Sequence, residues 1–97
     1  METVKDLGAV LSAALRDTAI PKLYANGFVN ALGGGDSTIL LQRNGEPIAV
    51  LNLSYSLAKT LAVKLSAMIK ELEEKTGNKI MTSDDIQISL NPKKEVV

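Results

Sequence analysis

Histidine and cysteine, two side chains that commonly act in catalysis and metal binding, are both absent from this sequence of 97 residues. Their absence excludes ordinary zinc sites, thiol or serine–histidine nucleophiles and imidazole acid–base chemistry. The remaining acids include one adjacent pair, Asp84 and Asp85. Adjacent acids point in different directions and no third acid lies nearby in sequence, so the pair indicates a solvated turn or helix cap. We therefore predict no catalytic residue, no metal site and no cofactor, and expect that the protein is not an enzyme.

A glycine-rich segment at residues 33–38 is the first candidate for binding chemistry. Successive N–H groups of a glycine loop can surround an anion, but no lysine follows, and the segment leads into an apolar, strand-like run instead of a helix. A plain hairpin loop is the simpler interpretation. The polar residues that share a strand face with Phe28 are the second candidate for a binding surface. The simpler interpretation is an amphipathic strand whose polar side chains are solvated. Together the candidate ligand-binding residues are Tyr24, Asn26, Asn30, Gly33, Gly34, Gly35, Asp36 and Thr38.

The charge balance narrows the classes of partner. Eleven basic and eleven acidic residues give a net charge of zero, which disfavours a nucleic-acid binder and gives little support to membrane-surface binding. The N-terminus lacks a basic stretch before an apolar run, and no apolar run reaches the roughly 18–20 residues of a membrane span. We expect a cytoplasmic protein that forms a single domain over residues 1–97.

The spacing of apolar residues predicts an α+β fold. Apolar residues at spacings of three and four predict a helix over residues 4–19. This helix forms an N-terminal extension, residues 1–21, to the rest of the domain. Alternation from Leu23 to Leu32, the glycine loop, and two apolar runs on either side of Asn44-Gly45 predict a three-stranded antiparallel meander of two hairpins.

The C-terminal part begins with the clearest helix signal. Ser54 is a suitable N-cap and Gly77 a suitable C-terminal residue for a long amphipathic helix between them. Beyond a body at residues 22–80, we expect a weakly ordered tail at 81–97, in which the alternation at 86–90 is compatible with a short extra strand.

Both faces of the second hairpin are apolar, so both need to be covered. The long helix can cover one face, and the other requires the N-terminal helix or a second subunit. We therefore expect a homo-oligomer, based on a dimer, that is built around the third strand or the long helix. The expected interface residues are Ile48, Val50, Leu51, Leu61, Leu65 and Met68.

The order of these signals resembles a family of small prokaryotic proteins, domain of unknown function 3467, over roughly residues 22–80. The resemblance is carried by Tyr24-Ala25-Asn26, the two hairpins, Ser54, Ala58-Lys59, Leu61, Glu73-Glu74-Lys75 and Gly77. The chain departs from the pattern at Tyr55, where proline is expected, at Thr76, where an aromatic residue is usual, and in its added N-terminal helix. Since that family has no assigned activity, the resemblance implies a fold and no catalytic residues.

The leading hypothesis is a homo-oligomeric binding or adaptor module without enzymatic activity. A protein that sequesters or senses a nucleotide or another anionic metabolite is the alternative, with the candidate ligand residues as its site. A nucleic-acid-binding protein is a third hypothesis, which the neutral charge disfavours.

Overall fold

The structure, a computed structural model, describes residues 6–91 of the chain. The chain divides into two compact units, Met1–Asn52 and Leu53–Val97. It is an α+β protein, as the apolar spacing predicts. Its elements are α1 (Leu7–Arg16), β1 (Gly27–Leu32), β2 (Ser37–Arg43), β3 (Glu46–Leu53), α2 (Tyr55–Thr76) and α3 (Ser83–Leu90).

The N-terminal helix α1 is shorter than the predicted range of 4–19. It begins after Asp6, whose carboxylate accepts a hydrogen bond from the backbone N–H of Ala9 at 3.2 Å and so caps the helix. It ends at Asp17, whose extended backbone stops the helix before Pro21. The beginning of the predicted range, residues 4 and 5, lies outside the described residues.

The three strands form one antiparallel sheet in the order β1-β2-β3, as predicted. Gly27 lies opposite Gln42 and Leu32 opposite Ser37. β1 therefore begins at residue 27 and not at the predicted residue 23. The reason is that partners for residues 23–25 would lie beyond Arg43, where β2 has already turned away.

The predicted turn between β2 and β3 is confirmed. Asn44 has a φ of 53° and Gly45 a φ of 84°, and two successive positive φ angles define the type I′ turn that suits the right-handed twist of a hairpin. The Asn44-Gly45 signal therefore sets where β2 ends and β3 begins.

Both predicted ends of the long helix are confirmed. The Ser54 hydroxyl accepts a hydrogen bond from Leu57 N–H at 3.1 Å, and α2 runs for 22 residues, about 33 Å. Gly77 then takes the left-handed conformation, with its N–H donating to the Glu73 carbonyl at 2.9 Å. Glu71 and Lys75 form an ion pair of 2.9 Å along its surface.

The extra strand considered at residues 86–90 is wrong, because this segment is part of helix α3. Thr82 and Asp85 form a reciprocal capping box: the Thr82 hydroxyl accepts from Asp85 N–H at 3.0 Å, and the Asp85 carboxylate accepts from Thr82 N–H at 3.3 Å. This capping box favours a helix more strongly than the alternation of apolar and polar residues at 86–90 favours a strand. In the expected loose tail, residues 83–90 are therefore helical, and residues 92–97 lie outside the described residues.

The apolar side chains of α1 and of the sheet are largely exposed. None of residues 6–91 is buried, and the α1 side chains of Leu7, Leu11 and Leu15 are between 60% and 73% exposed. The N-terminal helix therefore does not bury its apolar stripe. Within the described residues, no helix combines the length and the apolarity that crossing a membrane requires.

We predict that Gly45→Val destabilises the protein by about 1–3 kcal/mol, because a β-branched side chain is strained at positive φ. The measurement is the melting temperature. Gly34→Val is the matched control, since Gly34 has no positive φ and a side chain there meets open space. Equal melting temperatures for the two variants would contradict a type I′ turn.

Candidate functional site

The glycine loop, residues 33–36, is a closed hairpin connection. The Gly33 N–H donates to the Asp36 carbonyl at 2.8 Å, which removes this N–H from any anion cradle. A Cβ at Gly33 would lie 2.6 Å from the same carbonyl oxygen, whereas Cβ atoms at Gly34 and Gly35 would meet nothing within 4 Å. Glycine is therefore required sterically only at position 33, where the backbone lies close to the Asp36 carbonyl and not to a ligand.

Asn26 is committed to the β2–β3 turn. Its side-chain oxygen accepts the backbone N–H of Asn44 at 2.8 Å, and its amide nitrogen donates to the Asn44 side-chain oxygen at 2.9 Å. The Asn26 backbone N–H also donates to the Gln42 carbonyl at 3.0 Å. Asn26 thus fastens the start of β1 to the type I′ turn, a structural role that the sequence pattern did not reveal.

The other candidate ligand residues do not gather around Asn26. Thr38 donates its hydroxyl to the Asn52 side-chain oxygen at 3.1 Å, which links β2 to the end of β3. Tyr24, 67% exposed, lies in the irregular segment before β1. Asn30 lies mid-strand, opposite Ile39.

The proposed ligand site is therefore divided along the sheet. Asn26 and the glycine loop flank opposite ends of β1, a strand of six residues that spans about 20 Å. A single small anion cannot contact both ends. The structure thus places the candidate ligand residues at separate points along the sheet, and the loop exposes Gly34 and Gly35.

A groove in the second unit was not predicted from the sequence. It has a volume of about 790 Å³ and lies beside the C-terminal half of α2, where the Glu73 carboxylate accepts the Ile80 N–H at 2.8 Å and holds the following segment back along the helix. The only sequence signal for it was the helix stop at Gly77. Its lining includes Leu65 and Ile69, two cations, Lys70 and Lys79, and two carboxylates, Glu73 and Glu74. This balance of charge does not favour an anionic metabolite.

The remaining carboxylates do not form a metal centre among the described residues, where no group of three acids comes together. Asp84 and Asp85 both lie in the first turn of α3, and Asp85 is used in the capping box. Their position agrees with the helix cap that the sequence indicated. Carboxylates in a first turn also interact favourably with the helix dipole.

The expected interface residues lie on two exposed apolar surfaces. On β3, Val50 and Leu51 are 58% and 39% exposed, and successive strand residues project to opposite faces of the sheet; Ile48 is half-buried. The second surface, which we call the α2 stripe, follows the helix from Leu57 to Leu72, and its residues are between 40% and 55% exposed. It consists of Leu57, Leu61, Leu65, Met68 and Leu72.

β1 forms one edge of the sheet. Gly33 N–H donates to Asp36, in step with the β1–β2 register, and bonded and non-bonded pairs alternate along an antiparallel ladder. The backbone groups of Phe28, Asn30 and Leu32 are therefore directed toward the outer edge. β1 contains neither a charged residue nor a proline, the features that usually prevent an edge strand from pairing with another chain.

Comparison of the chain with protein-family models, curated proteins and solved structures found no match. The resemblance to domain of unknown function 3467 therefore stays a prediction.

We predict that Asn26→Ala destabilises the protein by about 1–2 kcal/mol, because both hydrogen bonds to the turn are lost and the Asn44 N–H loses its partner. Chemical denaturation measures the change. Asn30→Ala, in mid-strand, is the control and should change stability by less than about 0.5 kcal/mol. An equal effect of the two substitutions would contradict the structural role of Asn26.

We predict that Gly33→Ala lowers the melting temperature, whereas Gly35→Ala leaves it nearly unchanged. The physical reason is the 2.6 Å approach to the Asp36 carbonyl, which a Cβ at position 33 alone would meet. Thermal unfolding with and without nucleotide checks the alternative role. Stabilisation by nucleotide that disappears in Gly35→Ala would show that the loop binds an anion after all.

Proposed function

We propose that the protein is a binding or adaptor module without enzymatic activity, and that it works as a homo-oligomer whose subunits associate through the α2 stripe. One observation carries the proposal: a continuous row of large apolar side chains, about half exposed, along a helix of 22 residues. Apolar surface of this extent is typical of an association surface in a soluble protein.

The form of the stripe supports association with another helix. From Ala58 the apolar positions follow spacings of three, four, three and four, ending at Leu72, which is the repeat of two helices that pack along their length. Ile69, 37% exposed, widens the same face. Lys75 takes the next position of the repeat, so the apolar stripe ends before the helix does.

The candidate ligand residues give less support to a small-molecule role. Asn26, Gly33 and Thr38 are all engaged in hydrogen bonds within the sheet unit. The sequestering or sensing protein is the second hypothesis, but among residues 6–91 no site of matching charge favours it over the module.

The test replaces one central residue of the stripe. We predict that wild-type protein sediments as a dimer or a small multiple of one at micromolar concentration, and that Leu65→Glu dissociates the assembly. A carboxylate buried without a partner in an interface costs several kcal/mol. Sedimentation velocity reports the mass, and circular dichroism reports whether the helices persist.

Ser66→Glu is the matched control. It introduces the same charge one residue further along, on a side of α2 outside the stripe, and it should leave the sedimentation coefficient unchanged. Wild-type protein that sediments as a monomer would overturn the proposal.

A further inference from the structure

The apolar residues of the α2 stripe are compatible with either a parallel or an antiparallel partner helix. The charged residues beside the stripe distinguish the two directions. Lys64 lies on the flank of the stripe, and the residues three and four positions away on its own helix are Thr60, Leu61, Ala67 and Met68. None of these is acidic. Lys64 therefore has no helical partner of the kind that Lys75 has in Glu71, at 2.9 Å.

Glu71 lies on the same flank, seven residues further along, at the equivalent position of the repeat. In an antiparallel helix pair, equivalent flank positions of the two copies face each other, whereas in a parallel pair each faces the opposite flank. The antiparallel arrangement thus brings Lys64 of each copy to Glu71 of the other. The parallel arrangement would bring Lys64 to Ile69 and Glu71 to Thr76.

The same arrangement matches the apolar layers. When Leu65 packs against Met68 of the second copy, Leu61 packs against Leu72, and both contacts occur twice about the two-fold axis. Residues 57–76 then overlap along their full length, nearly the whole of α2. Antiparallel packing also places each helix N-terminus beside the C-terminus of the other, which the helix dipoles favour.

We propose that the partner of the α2 stripe is the α2 helix of a second copy in antiparallel orientation, with Lys64 of each copy paired to Glu71 of the other. This inference rests on the proposed self-association and specifies its geometry. It makes the interface isologous, so that one pairing closes a dimer and leaves no α2 stripe for a third copy.

The first experiment reverses the charges. Lys64→Glu replaces two attractive contacts per dimer by two repulsive ones and should weaken dimerisation by about 10- to 100-fold. Lys64→Glu combined with Glu71→Lys restores opposite charges and should recover most of the affinity. Lys59→Glu makes the same change in charge on the side of α2 that faces away from the α2 stripe, and it should leave the dissociation constant nearly unchanged. Equilibrium sedimentation at low salt measures all three variants.

The second experiment uses the absence of native cysteine. Differently tagged Leu61→Cys and Leu72→Cys variants are mixed, refolded together and oxidised. The antiparallel pair predicts disulfides that join one chain of each kind. Disulfides between two chains of the same kind, or no disulfide, overturn the orientation, as does a Lys64→Glu dimer of unchanged affinity. Wild-type protein that is monomeric overturns the proposed function itself, so the two failures are distinguishable.

Discussion

The constraint on which the structure depends is that apolar surface must be removed from water, while none of residues 6–91 is buried. Apolar burial is the main favourable term in folding, and it has to offset a large loss of conformational entropy. The helices and strands are well defined by their caps and turns, yet these local signals contribute only about 1 kcal/mol each. The proposed association of α2 with a second copy would bury apolar surface and so supply this favourable free energy.

Hydrogen bonds within the chain define where each element begins and ends. Asp6, Ser54 and Thr82 cap the three helices, and Asn26 fastens the β2–β3 turn. Most of these polar groups are exposed, so each contact is weakened by competition with water. Their role is to specify the elements, whereas the exposed apolar surfaces on β3 and α2 are the ones whose burial would add stability in the proposed assembly.

Much of the fold could be predicted because its determinants are local. The Asn44-Gly45 pair requires two positive φ angles, and Ser54 and Gly77 provide the two ends of α2, so each can be recognised within a few residues. The alternation at 86–90 misled because a capping box of four residues decides between helix and strand there. The start of β1 could not be read from its own sequence, since it depends on where β2 turns.

The candidate ligand site was less predictable, because a polar residue looks the same in sequence whether it binds a ligand or the chain itself. Asn26 and Thr38 had the expected residue type and strand position, and both are hydrogen-bonded within the sheet unit. The groove beside Gly77 depends on a contact between Glu73 and Ile80, seven residues apart, for which no sequence motif exists. Contacts of this kind become visible only when the chain direction after a helix is known.

The two proposals together imply that folding and association are coupled. If the apolar stripe is covered only by a second copy, the free energy of association contributes to the stability of α2, and the midpoint of unfolding depends on protein concentration. Most of the stability of a helix in a protein comes from the packing of its amphipathic face and not from intrinsic propensity. Direction then matters as much as burial, because an apolar stripe accepts a partner in either orientation. In the proposed dimer, a charged pair beside the stripe selects one orientation, and it does so at the flank, where Lys64 and Glu71 stay hydrated.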